Sequence, residues 1–121
     1  MTDQAIYHIS RREEWESAQA AGSYAGSSQD QADGFIHFSA AEQVEASAAK
    51  HRAGQSDLVL IAVDVAALES VPGSALRWEA SRGGALFPHL YGPLPLTAVR
   101  WTKPLPLGAD GRHVFPSLDG S

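Results

Sequence analysis

Two short segments place a histidine two residues before a serine and a glutamate three residues after that serine. They are IYHIS, with His8, Ser10 and Glu13, and GFIHFS, with His37, Ser39 and Glu42. In a strand, residues i and i+2 point to one side, so each His and Ser would share a face where the strand ends. Each pair also abuts an expected helix start, whose free amides and dipole attract anionic groups. Histidine titrates near neutrality and supplies general acid–base chemistry. Two such corners side by side would make a cleft suited to a phosphate or nucleotide. The same serines have a purely structural use, because Ser-x-x-Glu is the sequence of a capping box.

A third candidate is Glu79 in RWEASRGG, just before a double glycine that permits close approach of a ligand or loop. A carboxylate there can orient a hydroxyl or steady a developing cation; it can equally pair on the surface with Arg77 or Arg82. The fourth is FPHLYG, where His89 and Tyr91 again stand two apart on a backbone stiffened by proline. Such a loop can carry a site or merely pack. No close histidine pair has zinc-ligand spacing, so no metal is expected. No Gly-x-Ser-x-Gly elbow and no phosphate loop of the Walker type is present.

The elements that must position these residues fit an α+β chain of 121 residues, read as one domain with a core from about residue 5 to 116 and a frayed tail at 117–121. A first helix is expected over 11–21, ended by Gly22, and a second over 40–53, with Lys50, His51 and Arg52 in its last turn and Gly54 as its stop. The capping-box spacing assigns the N-caps to Ser10 and Ser39. DLVLIAVD, 57–64, is apolar throughout and bounded by charge, which marks a strand buried on both faces. VAALES reads as one helical turn before a turn at Pro72-Gly73. ALRWEA reads as a short strand broken at Gly83-Gly84, and 87–95 as an ordered loop or irregular edge strand. TAVRWTKPL reads as a strand with Val99 and Trp101 on one face and Arg100 and Thr102 on the other. A turn at Gly108–Gly111 leads into a last strand, HVFP. The result is a bent, mostly antiparallel sheet with two N-terminal helices.

Composition removes several functions. The chain has no cysteine, which excludes disulfides and thiol chemistry. A net charge of -5 without any basic run disfavours duplex nucleic acid. The longest apolar run, LVLIAV, is far below the roughly 20 residues of a membrane span, and no secretory leader is visible. A cytoplasmic protein is expected.

The series IYHIS, EW, AGSY, DGFIHFS, EQV, DLVLIAVD, RWE and FPHLYGPL resembles the small bacterial family known as domain of unknown function 952, from Ile6 to about Pro116. That family is similar to the ADP-ribosyltransferase-like fold, a split pair of small sheets that grips NAD. The first half resembles RNA 2′-phosphotransferases, through Tyr7-His8, Trp15, Gly22 and His37-Phe38-Ser39. The resemblance implies NAD as cofactor, with His8 holding a ribose hydroxyl, His37 and Ser39 lining the nicotinamide or phosphate side, and Glu79 as the late acidic residue. His8, His37 and Glu79 are thus the catalytic candidates, and Tyr7, Ser10, Ser39, His89 and Tyr91 the binding candidates. Two functions follow: an ADP-ribosyl or phosphoryl-linked transferase, or a non-catalytic module that binds a small ligand or protein on the same fold.

Overall fold

The computed structural model describes residues 4–70, 75–81, 83–116 and 118. Its centre is β4, Leu58–Asp64, whose residues Leu58 to Val63 are all buried. The run has no polar face because both sides of the strand are covered. β1, Ala5–Arg11, pairs antiparallel along one edge, from Ala5 opposite Asp64 to Arg11 opposite Leu58. β8, Val99–Leu105, pairs along the other. Between β1 and β4 the chain forms helix α1, Arg12–Ala21, strand β2, Ser23–Tyr24, helix α2, Ser28–Asp33, strand β3, Ile36–His37, and helix α3, Val44–His51. Trp15 and Ala18 of α1 pack with Ile6, Ile61 and Val63 on one face of the sheet. Val44 and Ala48 of α3 pack with Ile9, Leu60 and Leu105 on the other.

After β4 come the helical turn α4, Val65–Glu69, then β5, Leu76–Ala80, β6, Leu86–Leu90, and β7, Leu94–Pro95, with a 3-10 turn at Leu96–Ala98 before β8. β3, β6 and β5 form a second antiparallel sheet in that order, and β2 pairs with β7. The two larger sheets are stitched at one point. Tyr7 and Ser39 exchange backbone hydrogen bonds of 2.8 Å in both directions, on the edge of β1 away from β4. The two His-x-Ser segments therefore do lie side by side.

Several expectations change. α1 ends as read, with Gly22 left-handed at φ 91. It starts at Arg12 behind Arg11, without a side-chain cap, while the Ser10 hydroxyl donates to the Arg11 carbonyl at 2.9 Å. Ser39 caps nothing either: it is spent on the bridge to Tyr7, and α3 starts four residues later than expected, at Val44. The real capping box is Ser27 with Asp30, at the head of a helix the sequence reading left out, so three helices rather than two precede β4. The segment expected as a loop or edge contains β6, the middle strand of its sheet. Pro88 sits within it because its carbonyl still accepts from Phe38 N–H at 3.0 Å, and a proline gives up only its donor. A bulge at Arg100 sets Ala62 opposite Trp101 but Val63 opposite Val99. Val99 consequently packs with one core cluster and Trp101 with the other, where strict alternation had put them on one face. HVFP contributes a single bridge, His113 to Leu107. The Pro72-Gly73 turn and residues 117 and 119–121 of the expected tail lie outside the described residues.

The relocated cap is testable. Ser27→Ala removes one half of the capping box and is expected to lower the free energy of unfolding by about 1 kcal/mol, measured by urea titration, whereas Glu42→Ala should leave it within about 0.5 kcal/mol. Equal losses in the two variants would return the cap to the second His-x-Ser segment.

Candidate functional site

The site is built outward from Asp30, whose side chain is 4% exposed. Gly26, at φ 95, makes the helix start tight: a Cβ there would fall 2.7 Å from the Asp30 Cβ and 3.1 Å from Ile36. Only glycine combines that left-handed backbone with so close an approach. Asp30 Oδ2 accepts from Ser27 N–H at 2.8 Å, and Ser27 Oγ accepts from Asp30 N–H at 3.1 Å. Asp30 Oδ1 accepts twice from His37, from the backbone N–H at 3.2 Å and from ring Nδ1–H at 2.6 Å. The other His37 nitrogen, Nε2, lies 3.3 Å from Asp33 Oδ2.

Behind this pair sits His8, 4% exposed. Its Nδ1 is 2.6 Å from the His37 carbonyl, which can only accept, so Nδ1 carries the hydrogen. Nε2 then accepts from the Tyr24 hydroxyl at 2.7 Å and lies 3.6 Å from Asp30 Oδ2. Burial pushes the His8 pKa down, against the pull of Asp30, so the ring is neutral near pH 7. Burial alone would raise Asp30, but the hydrogen bond from His37 and the nearby His8 outweigh it and hold the carboxyl at about 2. Tyr24 is pushed upward by burial and remains a phenol, with the neighbouring Ser10 hydroxyl pulling the other way.

The accessible face belongs to the β3–β6–β5 sheet. Register places His37 opposite His89 and His89 opposite Arg77, so the three side chains stand in one row across three strands. Glu79, one step along the same face, accepts from His89 Nδ1–H at 2.8 Å and from the Tyr91 hydroxyl at 2.6 Å. These two donors, Tyr91 first, lower the Glu79 pKa and keep it ionised near neutrality. Phe35 lies stacked against His89 with centroids 4.3 Å apart and tilted against His37 at 4.5 Å and Tyr91 at 5.1 Å. The two imidazoles are 5.4 Å apart, centroid to centroid. The side chains of His37 and Glu79 are 41% and 37% exposed, that of His89 15%. The result is an aromatic floor bearing two imidazoles, each fixed at Nδ1 by a carboxylate.

Of the residues singled out in the sequence, His37, Glu79, His89 and Tyr91 come together on this face. His8 lies directly beneath it with both nitrogens engaged. Ser10 and Ser39 are buried, at 0% and 5% exposure. Tyr7 points to the opposite side of its sheet, where its hydroxyl donates to the Leu118 carbonyl at 2.7 Å. It borders a cleft of about 550 Å³ with Gln43, Trp78 and Arg100, a concavity that contains none of the four clustered residues. Sequence reasoning missed Asp30, Tyr24 and Phe35. The sequence did carry one signal for Asp30: Ser27-x-x-Asp30 followed by Gly34 is a short capped helix with a glycine stop, and Gly34 is indeed left-handed at φ 90. Among the described residues no group of three or more His, Asp or Glu is placed to hold a metal ion, and no helix is long and apolar enough to cross a membrane.

Comparison with known proteins agrees with the fold. The model of a family described as protein of unknown function (DUF952) matches residues 9–102. The chain is similar to protein CC0527 from Caulobacter crescentus. Against its crystal structure the TM-score is 0.83 at 51% identity, covering 91% of this chain and 93% of that one. Against its solution NMR structure the TM-score is 0.76 at 51% identity, covering 89% and 90%. A comparison with curated proteins finds no match.

The buried network makes stability depend on pH in two stages. As pH falls below 6.5, the ordinary histidine value, the unfolded chain takes up a proton at His8 that the folded chain refuses, so stability drops. Below about pH 4 the unfolded chain protonates Asp30 while the folded carboxyl resists to about 2, and stability drops again. In urea titrations across pH, His8→Gln should remove most of the first stage, the remainder belonging to His51, which burial and Lys50 also lower. Asp30→Asn should flatten the second stage. Profiles unchanged in both variants would contradict the assignment.

Proposed function

The chain belongs to the DUF952 family, whose description carries no activity, and we propose from the site itself that it binds a nucleotide, NAD foremost, on the Phe35–His37–His89–Tyr91 face and transfers its ribosyl group. The reading rests on one observation: Glu79 is an accessible, ionised carboxylate, fixed by Tyr91 and His89 at 2.6 and 2.8 Å. Breaking the bond between ribose and nicotinamide builds positive charge on the sugar, and a prepositioned anion stabilises that charge where it forms. Asp33, at 39% exposure, adds a second anion beside His37. A site rich in carboxylates suits an oxocarbenium-like transition state better than it suits transfer of a phosphoryl group, whose oxygens it would repel. Arg77, whose guanidinium lies 5.2 Å from the Tyr91 ring centroid, supplies one cation at the edge of the face for a diphosphate.

The resemblance read from the sequence to ADP-ribosyltransferases implies NAD as the ligand and gives the ribose hydroxyl to His8. In this fold His8 is enclosed and hydrogen-bonded at both nitrogens, so we assign that contact to His37 and give His8 the part of fixing the His37 backbone through its carbonyl. A non-catalytic nucleotide-binding module is the second reading. It is favoured by the fact that one Glu79 oxygen, Oε1, accepts both bonds and is thereby occupied.

Calorimetry with NAD, coupled to chromatography for released nicotinamide, separates the readings. Binding with turnover is expected, and Glu79→Gln should keep binding while losing turnover by roughly 100-fold or more. Binding with intact NAD would select the module. No binding by the wild type would overturn the nucleotide reading.

A further inference from the structure

A pyridinium departs from ribose as a neutral molecule and needs no proton. A carboxylate such as Glu79 is therefore sufficient for NAD, yet the face carries an imidazole donor beyond that requirement. His37 is the more accessible of its two imidazoles. Asp30 fixes Nδ1 from below at 2.6 Å, and Asp33 Oδ2 stands 3.3 Å from Nε2 at the surface. In the doubly protonated form both ring hydrogens therefore have an acceptor in place, and the outer one is held by an exposed side chain that a ligand can displace. This is the geometry of a proton donor aimed outward. His89, 5.4 Å away, separates it from Glu79, so donor and carboxylate flank one binding face from two sides.

We propose that this face cleaves the N-glycosidic bond of nucleoside monophosphates bearing an uncharged base, with water as acceptor, His37 as the general acid and Glu79 as the base. The proposal rests on the nucleotide-binding face already proposed and adds to the charge-stabilising part of Glu79 that of a base. The bond between sugar C1′ and the base nitrogen breaks, and both its electrons stay with the base. The base takes the proton from His37 Nε2. Water adds to C1′ on the opposite side and gives its proton to Glu79, which returns it through solvent to His37. The net reaction is nucleotide plus water to free base plus ribose phosphate. An uncharged purine is a poor leaving group without that proton, and a positioned acid contributes about 10² to 10⁴ in rate. Phe35 and Tyr91 offer the aromatic surfaces for the base.

Three substrates test this with the full chain: guanosine monophosphate, its 7-methyl derivative, whose base already carries positive charge, and NAD. Released bases are followed by chromatography. Wild type should liberate guanine; His37→Gln gives up the ribose contact on every substrate, and on guanosine monophosphate it should lose at least roughly 100-fold more than it loses on the methylated nucleotide and NAD. Activity on the charged substrates shows that the variant is folded. The wild type gives an independent answer: with an acid at work the two guanine nucleotides are cleaved at comparable rates, and a preference for the methylated one above roughly 1000-fold means that none acts. NAD cleaved without guanine release would overturn the inference and leave the transferase reading standing. Equal losses on all three substrates would deny His37 the role of acid. No cleavage of any of them would overturn both proposals.

Discussion

A carboxylate with 4% of its side chain exposed has no solvent shell, and Asp30 keeps its charge only because protein donors replace it. Three of these are hydrogen bonds, from Ser27 N–H, His37 N–H and His37 Nδ1–H. Together they tie two pieces of chain, at Ser27 and at His37, to the same two oxygens. The first begins α2, the second sets where β3 lies, and the third orients an imidazole whose other nitrogen faces outward. Remove the charge and none of the three has a reason to be where it is. Gly26 belongs to the same constraint, since any Cβ would press on the Asp30 side chain.

The constraint reaches the rest of the fold through His8. Its ring joins the His37 carbonyl to Tyr24, so β1, β2 and β3 are held by one side chain in the interior. The Tyr7–Ser39 bridge fixes the same junction through the backbone. With β3 thus placed, antiparallel register with β6 and β5 brings His89, Arg77 and Glu79 into line with His37 without further adjustment. An accessible face of imidazoles and carboxylates therefore stands directly on a buried polar network, which holds its side chains to a fixed geometry.

Much of the frame was legible in the sequence because it depends on local rules. The Gly22 stop of α1, the doubly covered β4, the turn α4 and the break at Gly84, φ 87, all appear where composition and spacing put them. Failures arose where a tertiary bond competed with a local one. Ser10 and Ser39 had the spacing of caps but were claimed by β1 and by the bridge, so their helices begin without them. Pro88 read as an edge marker although it lies mid-sheet, since only the pairing of three strands decides which proline lacks a needed donor. Arg100 breaks the alternation of β8 by a bulge that no residue type announces. At the site, His37, Glu79, His89 and Tyr91 were visible as reactive types at strand spacing. Their convergence through Asp30 and Phe35 was not, because it depends on contacts between segments far apart along the chain.

In the proposed function, Asp30 presents His37, with His89 beside it, as the ligand-binding surface, while His8 serves from within. Proton–nitrogen correlation spectra of the histidine rings, recorded while NAD is added, test it most directly. His8 should keep its hydrogen on Nδ1 throughout with an unchanged signal, and the Nε2 atoms of His37 and His89 should show shifts that vanish in Asp30→Asn. Shifts confined to Trp78 and Gln43 of the cleft on the other side of β5, with the His37 ring silent, would contradict it.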